Sequence, residues 1–94
     1  MYLVFLSYTR PMEEVNGLLE PHIAWIDRYF ASGDFISAGR KDPRTGGMIM
    51  VKEMDRPRLD AILAEDPFQT VAEYDVTKVN ITRSADAFSA LTGI

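Results

Sequence analysis

Apolar residues recur along this chain with two spacings, one typical of strands and one typical of helices. Residues 2–8 are strand formers that are apolar on both alternating faces, which is typical of a strand covered on both sides. Between residues 15 and 30 the apolar positions recur every three or four residues, which predicts a helix with one buried stripe. An interior proline would break that helix, so we expect a short helix before Pro21 and the main helix to carry Pro21 in its first turn and end at Gly33. The stripe consists of Val15, Leu18, Leu19, His22, Ile26 and Tyr29.

The second half of the chain predicts two more strands, a helix and a long final strand. Residues 34–39 and 48–53 are strand-like, and the loop between them contains a proline and two adjacent glycines, which indicates a hairpin. Asp55 is a good N-cap for a helix over residues 56–65. Residues 70–83 predict the last strand, with a bulge near Thr77 and Lys78 where the apolar parity changes. Ser84 is expected to cap a terminal helix over residues 85–91.

The element order predicts an α+β fold of the ferredoxin-like type, βαββαβ, followed by the terminal helix. In that topology two helices cover one face of a four-stranded antiparallel sheet. The first and third strands are nevertheless apolar on both faces, so we expect a second copy of the chain to cover the other face. The prediction is a single domain over residues 1–94, with a core over 1–83 and a tail over 84–94, that forms a homodimer closing into a dimeric α/β barrel.

The charge and the amino-acid composition of the chain argue against several classes of function. The 94 residues carry a formal net charge of −4, which argues against general binding to nucleic acid or to anionic membranes. No apolar run approaches the ~18 residues of a membrane span. The chain contains no cysteine, which excludes a disulfide framework, a thiolate nucleophile and a cysteine-ligated metal. A cytoplasmic location is expected.

The candidate chemistry lies in the only histidine and in one aspartate. A residue before proline is pushed out of the helical region, so Asp66, which precedes Pro67, should stand at the end of the helix over residues 56–65 or just beyond it. A carboxylate there would be balanced by the imidazole of His22, with Glu73 as the second choice of partner. Two plainer interpretations stay open. His22 could be a core histidine with a hydrogen bond to one ring nitrogen. Asp66 could be a solvent-exposed residue that, with Pro67, only ends the helix.

Several short segments resemble the YCII-related (YciI-like) family, whose members are small proteins of dimeric α/β-barrel fold. The similar segments are residues 8–15, 21–22, 35–39, 43–47 and 64–68, so the resemblance covers residues 1 to about 83. It implies that His22 and Asp66 form an active-site pair. The chain departs from the family pattern after Gly39 and after Phe68, both at the expected pocket rim, so the substrate does not carry over.

Two functions fit these residues. The first is a small cofactor-independent enzyme in which His22 acts as general acid or base and Asp66 orients it, for an elimination or isomerisation of a small polar or aromatic molecule. The second is a non-catalytic module that binds a small molecule or serves dimer assembly. A metal site is not expected, because only one imidazole is available. The candidate substrate-binding residues, of which the arginines would hold an anionic or enolate-like group, are Arg10, Ser37, Arg40 and Arg44.

Overall fold

A computed structural model describes residues 1–94 and confirms the predicted α+β architecture. Four antiparallel strands form one sheet in the order β2-β3-β1-β4, which is the ferredoxin-like arrangement. In chain order the elements are β1 (Tyr2–Tyr8), α1 (Met12–Gly17), α2 (Leu19–Ala31), β2 (Phe35–Arg40), β3 (Gly46–Val51), α3 (Arg56–Ala64), a first 3₁₀ helix (Pro67–Thr70), β4 (Ala72–Lys78) and a second 3₁₀ helix (Asp86–Leu91).

The helix boundaries follow the local signals in the sequence. Helix α2 begins two residues before Pro21, so this proline lies in the first turn, where its missing N–H group leaves no hydrogen bond unmade. Gly33, with a φ of 83°, follows the end of α2 in the left-handed conformation that glycine adopts without strain. Asp55 occupies the N-cap position of α3, as predicted, although its side chain makes no capping hydrogen bond.

The sheet has one face covered by helices and one open face, and the side chains of the inner strand β1 alternate between them. Tyr2, Val4 and Leu6 are buried under the helices, in a core that also contains Trp25 of α2 and Leu59 of α3. The indole N–H of Trp25 donates to the carbonyl of Ile62 at 3.0 Å. This hydrogen bond joins the two long helices above the sheet and satisfies the one polar group of a buried aromatic side chain.

The open face of the sheet is apolar at its centre. Leu3 and Phe5 alternate with the buried residues of β1, and their partners in β3 are Met50 and Met48, respectively. Phe5 is 38% exposed, and Leu3, Met48 and Met50 are half-buried. The structure therefore contains the surface that the predicted homodimer would bury.

The last strand is shorter than predicted, and the bulge lies elsewhere. Strand β4 ends at Lys78, and its pairing with β1 is continuous from Tyr2↔Lys78 to Tyr8↔Ala72. One further pair of hydrogen bonds joins the backbones of Met1 and Val79, just beyond the ends of the two strands. The change of apolar parity after Lys78 therefore marks the end of the strand. The irregular pairing is in the outer strand β2, between Phe35 and Ser37.

The predicted terminal α-helix is replaced by the second 3₁₀ helix. Ser84 does not cap it through its side chain, and the backbone of Phe88 departs from helical geometry. The Phe88 side chain is 63% exposed and so does not dock on the body of the protein. None of its residues is fully buried, so this segment has little of the tertiary packing that stabilises a short helix in water. None of the helices is sufficiently long and apolar to cross a membrane.

Candidate active site

A cavity of about 330 Å³ opens between α2 and the hairpin of β2 and β3. It exists because the sheet carries small residues there. Ala38 pairs with Ile49 and Gly47 pairs with Leu6, so both small residues face the helices yet leave the space beneath α2 unfilled. The lining is mainly apolar and includes Tyr8, Leu19, His22, Ile23, Ile26, Arg40, Arg44, Ile49 and Phe68.

His22 contributes the only imidazole, and two contacts fix its ring. Its Nδ1 lies 2.7 Å from Oδ1 of Asp66. The ring stacks on Phe68, with 3.7 Å between the ring centroids and 4° between the planes. One contact fixes the ring from its edge and the other from its face, so the imidazole is oriented before any ligand arrives. The pairing of His22 with Asp66 that the sequence favoured is therefore confirmed.

Asp66 is wholly buried and is positioned by the turn that begins at Pro67. Helix α3 ends at Ala64, and Asp66 is the N-cap of the first 3₁₀ helix. Its Oδ1 accepts a second hydrogen bond, from the backbone N–H of Phe68 at 2.9 Å. Its Oδ2 accepts from the hydroxyl of Tyr74 at 2.5 Å. Three donors thus surround one buried carboxylate, which is the condition under which a charge is tolerated away from water.

This arrangement selects the tautomer of His22. An ionised carboxylate can only accept hydrogen bonds, so the proton between Asp66 and His22 belongs to Nδ1. The neutral ring then carries its lone pair on Nε2. That atom has no hydrogen-bond partner within the chain and is not sealed from solvent, while the imidazole lines the cavity. A small molecule in the cavity would therefore meet a nitrogen able to accept a proton.

Tyr74 is the member of this site that the sequence did not reveal. It lies on β4 opposite Leu6, which places it on the covered face of the sheet. Burial raises the pKa of Tyr74, and its hydrogen bond to Asp66 raises it further. The phenol therefore stays a proton donor to Asp66. The parity of β4 could have assigned Tyr74 to the inner face, but not to this carboxylate.

A family model described as the YCII-related domain matches residues 1–80. This chain belongs to the YCII-related family. The match includes every residue of the cavity and of the histidine and aspartate pair, and it ends before the second 3₁₀ helix. The search of curated proteins found no match.

The structure divides the other site candidates of this YCII-related domain into two groups. Arg40 and Arg44 line the cavity. Arg10 does not, because both its Nε and its Nη2 donate to Glu14 on the surface of α1. Ser37 is exposed and pairs with Met50, so it lies on the open face of the sheet. Glu73, the alternative partner for His22, is exposed and pairs with Ser7 on that same open face.

We predict that Asp66→Asn changes the tautomer of His22 in this YCII-related domain. The asparagine amide can donate to Nδ1, which would move the proton to Nε2. Long-range ¹H–¹⁵N spectra of the single imidazole report the position of the proton directly. Nδ1–H should dominate the neutral ring of the wild type, and Nε2–H should gain population in Asp66→Asn. Asp60→Asn is the matched control, because Asp60 is exposed and bonds only Arg56. Identical spectra for all three proteins would contradict the assignment.

We predict that Tyr74 makes this YCII-related domain less stable at alkaline pH. The folded state holds the phenol proton that the unfolded chain loses above its ordinary pKa of about 10. The stabilisation by Tyr74 is therefore complete below about pH 10 and is lost as the pH rises further. Urea unfolding across this range should show a shallower alkaline fall in the free energy of unfolding for Tyr74→Phe. A residual slope is expected from Tyr29, whose pKa its hydrogen bond to Glu65 raises. Parallel curves would show that Tyr74 does not retain its proton.

Proposed function

We propose that this YCII-related domain is a small cofactor-independent enzyme that performs general acid and base chemistry through His22 and Asp66. The observation that supports the proposal is that the two ring nitrogens of His22 have different surroundings. Nδ1 is bound to a buried carboxylate, while Nε2 has no partner within the chain and the imidazole lines a cavity large enough for a small molecule. A histidine that served only the core would have little reason to present a proton acceptor to a cavity.

The chemistry follows from which atoms can exchange a proton. Nε2 of His22 takes a proton from a carbon next to a carbonyl group, and the electron pair of that C–H bond moves to the carbonyl oxygen as an enolate. The imidazolium so formed keeps its Nδ1–H bond to Asp66, whose negative charge stabilises it. Return of the proton to a different carbon gives an isomerisation. Departure of a group from the neighbouring carbon gives an elimination.

A homodimer is the second part of the proposal. The apolar side chains Leu3, Phe5, Met48 and Met50 form a continuous patch at the centre of the open face. A second copy of the chain, placed face to face, would bury the same patch on both subunits, which is how twofold interfaces are built. Ser37 and Glu73 would border this interface. A cytoplasmic location is part of the same proposal.

The enzyme proposal predicts hydrogen exchange at carbon that depends on His22. Small enolisable carbonyl compounds, incubated with the protein in D₂O, should exchange C–H for C–D, which NMR detects whether or not an isomerisation or elimination follows. His22→Gln keeps a polar side chain but cannot take the proton, so exchange should fall by about 100-fold or more. The pH profile of the wild-type rate should lose one limb in this variant.

Two results of this experiment would point elsewhere. Compounds that bind without exchanging, with folding and binding unchanged in His22→Gln, would favour the non-catalytic module. Exchange that persists in His22→Gln at the wild-type rate would show that another group is the base. Far-UV circular dichroism of the variant confirms that a loss is not due to unfolding.

The dimer proposal predicts that Phe5→Lys produces a monomer. The lysine would place a charge at the centre of the proposed interface, and Asp75 lies opposite it in the monomer, so the isolated fold should tolerate the change. Light scattering after size-exclusion chromatography gives the mass. Phe88→Lys is the matched control, because Phe88 is exposed outside the sheet. A monomeric wild type, or dissociation by Phe88→Lys alone, would contradict the proposal.

A further inference from the structure

The charged side chains that line the cavity are all positive. Arg40 and Arg44 lie there, and no carboxylate does. This is unusual for a chain with a net charge of −4. Neither arginine forms an ion pair, although Asp42 is on the same loop. The other arginines of the folded core each pair with a carboxylate, namely Arg10, Arg28, Arg56 and Arg58.

Arg44 has a buried N–H group that makes no hydrogen bond. Its Nε is enclosed and has no hydrogen-bond partner, and it is the one buried side-chain nitrogen or oxygen of the chain in that condition. Its Nη1 makes only a long contact, 3.3 Å, to Oδ1 of Asn16. A guanidinium loses its hydration on burial and needs acceptors in return. The two terminal nitrogens of the guanidinium, which are not enclosed, form a planar fork that matches the two oxygens of a carboxylate.

We infer that the cavity binds a small carboxylate with an apolar body. The carboxylate would bond the terminal nitrogens of Arg44, which are not enclosed, with Arg40 adding positive charge. The body would pack against Leu19, Ile23 and Ile26, the apolar residues with which α2 lines the cavity, close to His22. The volume of about 330 Å³ is at the small end for ligand pockets and suits a single ring or a short branched chain.

This inference rests on the proposed function and deepens it, because the arginines would also assist the proton transfer. A carboxylate that loses a proton from the adjacent carbon changes from one negative charge to two. Two arginines and the imidazolium of His22 stabilise the doubly charged state more than the singly charged one. The groups that bind the ligand would then contribute to the rate as well as to the affinity.

Benzoate and benzamide test the inference directly, because they share a ring and differ in charge. Titration followed by ¹H–¹⁵N correlation spectra should show benzoate binding with shifts at the cavity and benzamide binding more weakly. Arg44→Gln should weaken benzoate by about tenfold or more, the usual cost of hydrogen bonds to a charged group. Arg44→Lys keeps the charge without the fork and should recover only part of the affinity. Arg56→Gln is the matched control, since Arg56 pairs with Asp60 away from this cavity.

The outcomes separate this inference from the proposed enzyme. Equal binding of benzoate and benzamide, or equal weakening by Arg44→Gln and Arg56→Gln, would overturn the carboxylate site, and exchange dependent on His22 could still be observed. Full affinity in Arg44→Lys would overturn the role of the planar guanidinium fork. Tighter binding of phenyl phosphate than of benzoate would overturn the choice of carboxylate. Benzoate binding that depends on Arg44 and survives His22→Gln, together with no exchange in any compound, would support the site and reject the enzyme.

Discussion

The buried carboxylate of Asp66 is the constraint around which the site is built. A carboxylate without hydrogen bonds at zero exposure would cost several kcal/mol, so its donors must be in place when the chain folds. They come from three separate elements: the imidazole from α2, the backbone N–H from the first 3₁₀ helix and the phenol from β4. One charge therefore fixes a helix, a turn and a strand relative to one another. The same requirement that stabilises this corner of the fold also orients the imidazole.

Much of the fold could be predicted from the sequence, because the periodic signals are strong where the elements pack. The double-sided apolar pattern identified β1 and β3, and the stripe from Val15 to Tyr29 identified the helical region that contains α1 and α2. The predictions failed after Lys78. Alternating apolar residues indicate that a segment is able to form a strand. They do not indicate whether a neighbouring strand extends far enough to pair with it. Likewise, Ser84 before a run of helix-forming residues suggested a cap, yet a short helix needs a surface to pack on, and the structure provides none.

The candidate site shows a similar division. A lone histidine on an apolar stripe and an aspartate before a proline were visible in the sequence, and a family resemblance connected them. Tyr74 was not visible as a partner, because its relation to Asp66 depends on the register of β4 against β1. The arginines could not be separated by sequence either. Arg10 and Arg44 have the same side chain. Arg10 forms hydrogen bonds with Glu14 on the surface, four residues further along the chain, whereas Arg44 lies in the hairpin loop and lines the cavity.

The position of that loop has a consequence for how the family could diversify. The pair of His22 and Asp66 is held by α2, the first 3₁₀ helix and β4, whereas both arginines come from β2 and the hairpin that follows it. In the proposed enzyme, proton transfer and charge selection would thus be carried by different parts of the chain. The hairpin can change in length or charge without disturbing the hydrogen bonds of Asp66. In the proposed enzyme, variation in this one loop would change the ligand preference and leave the histidine and aspartate pair intact.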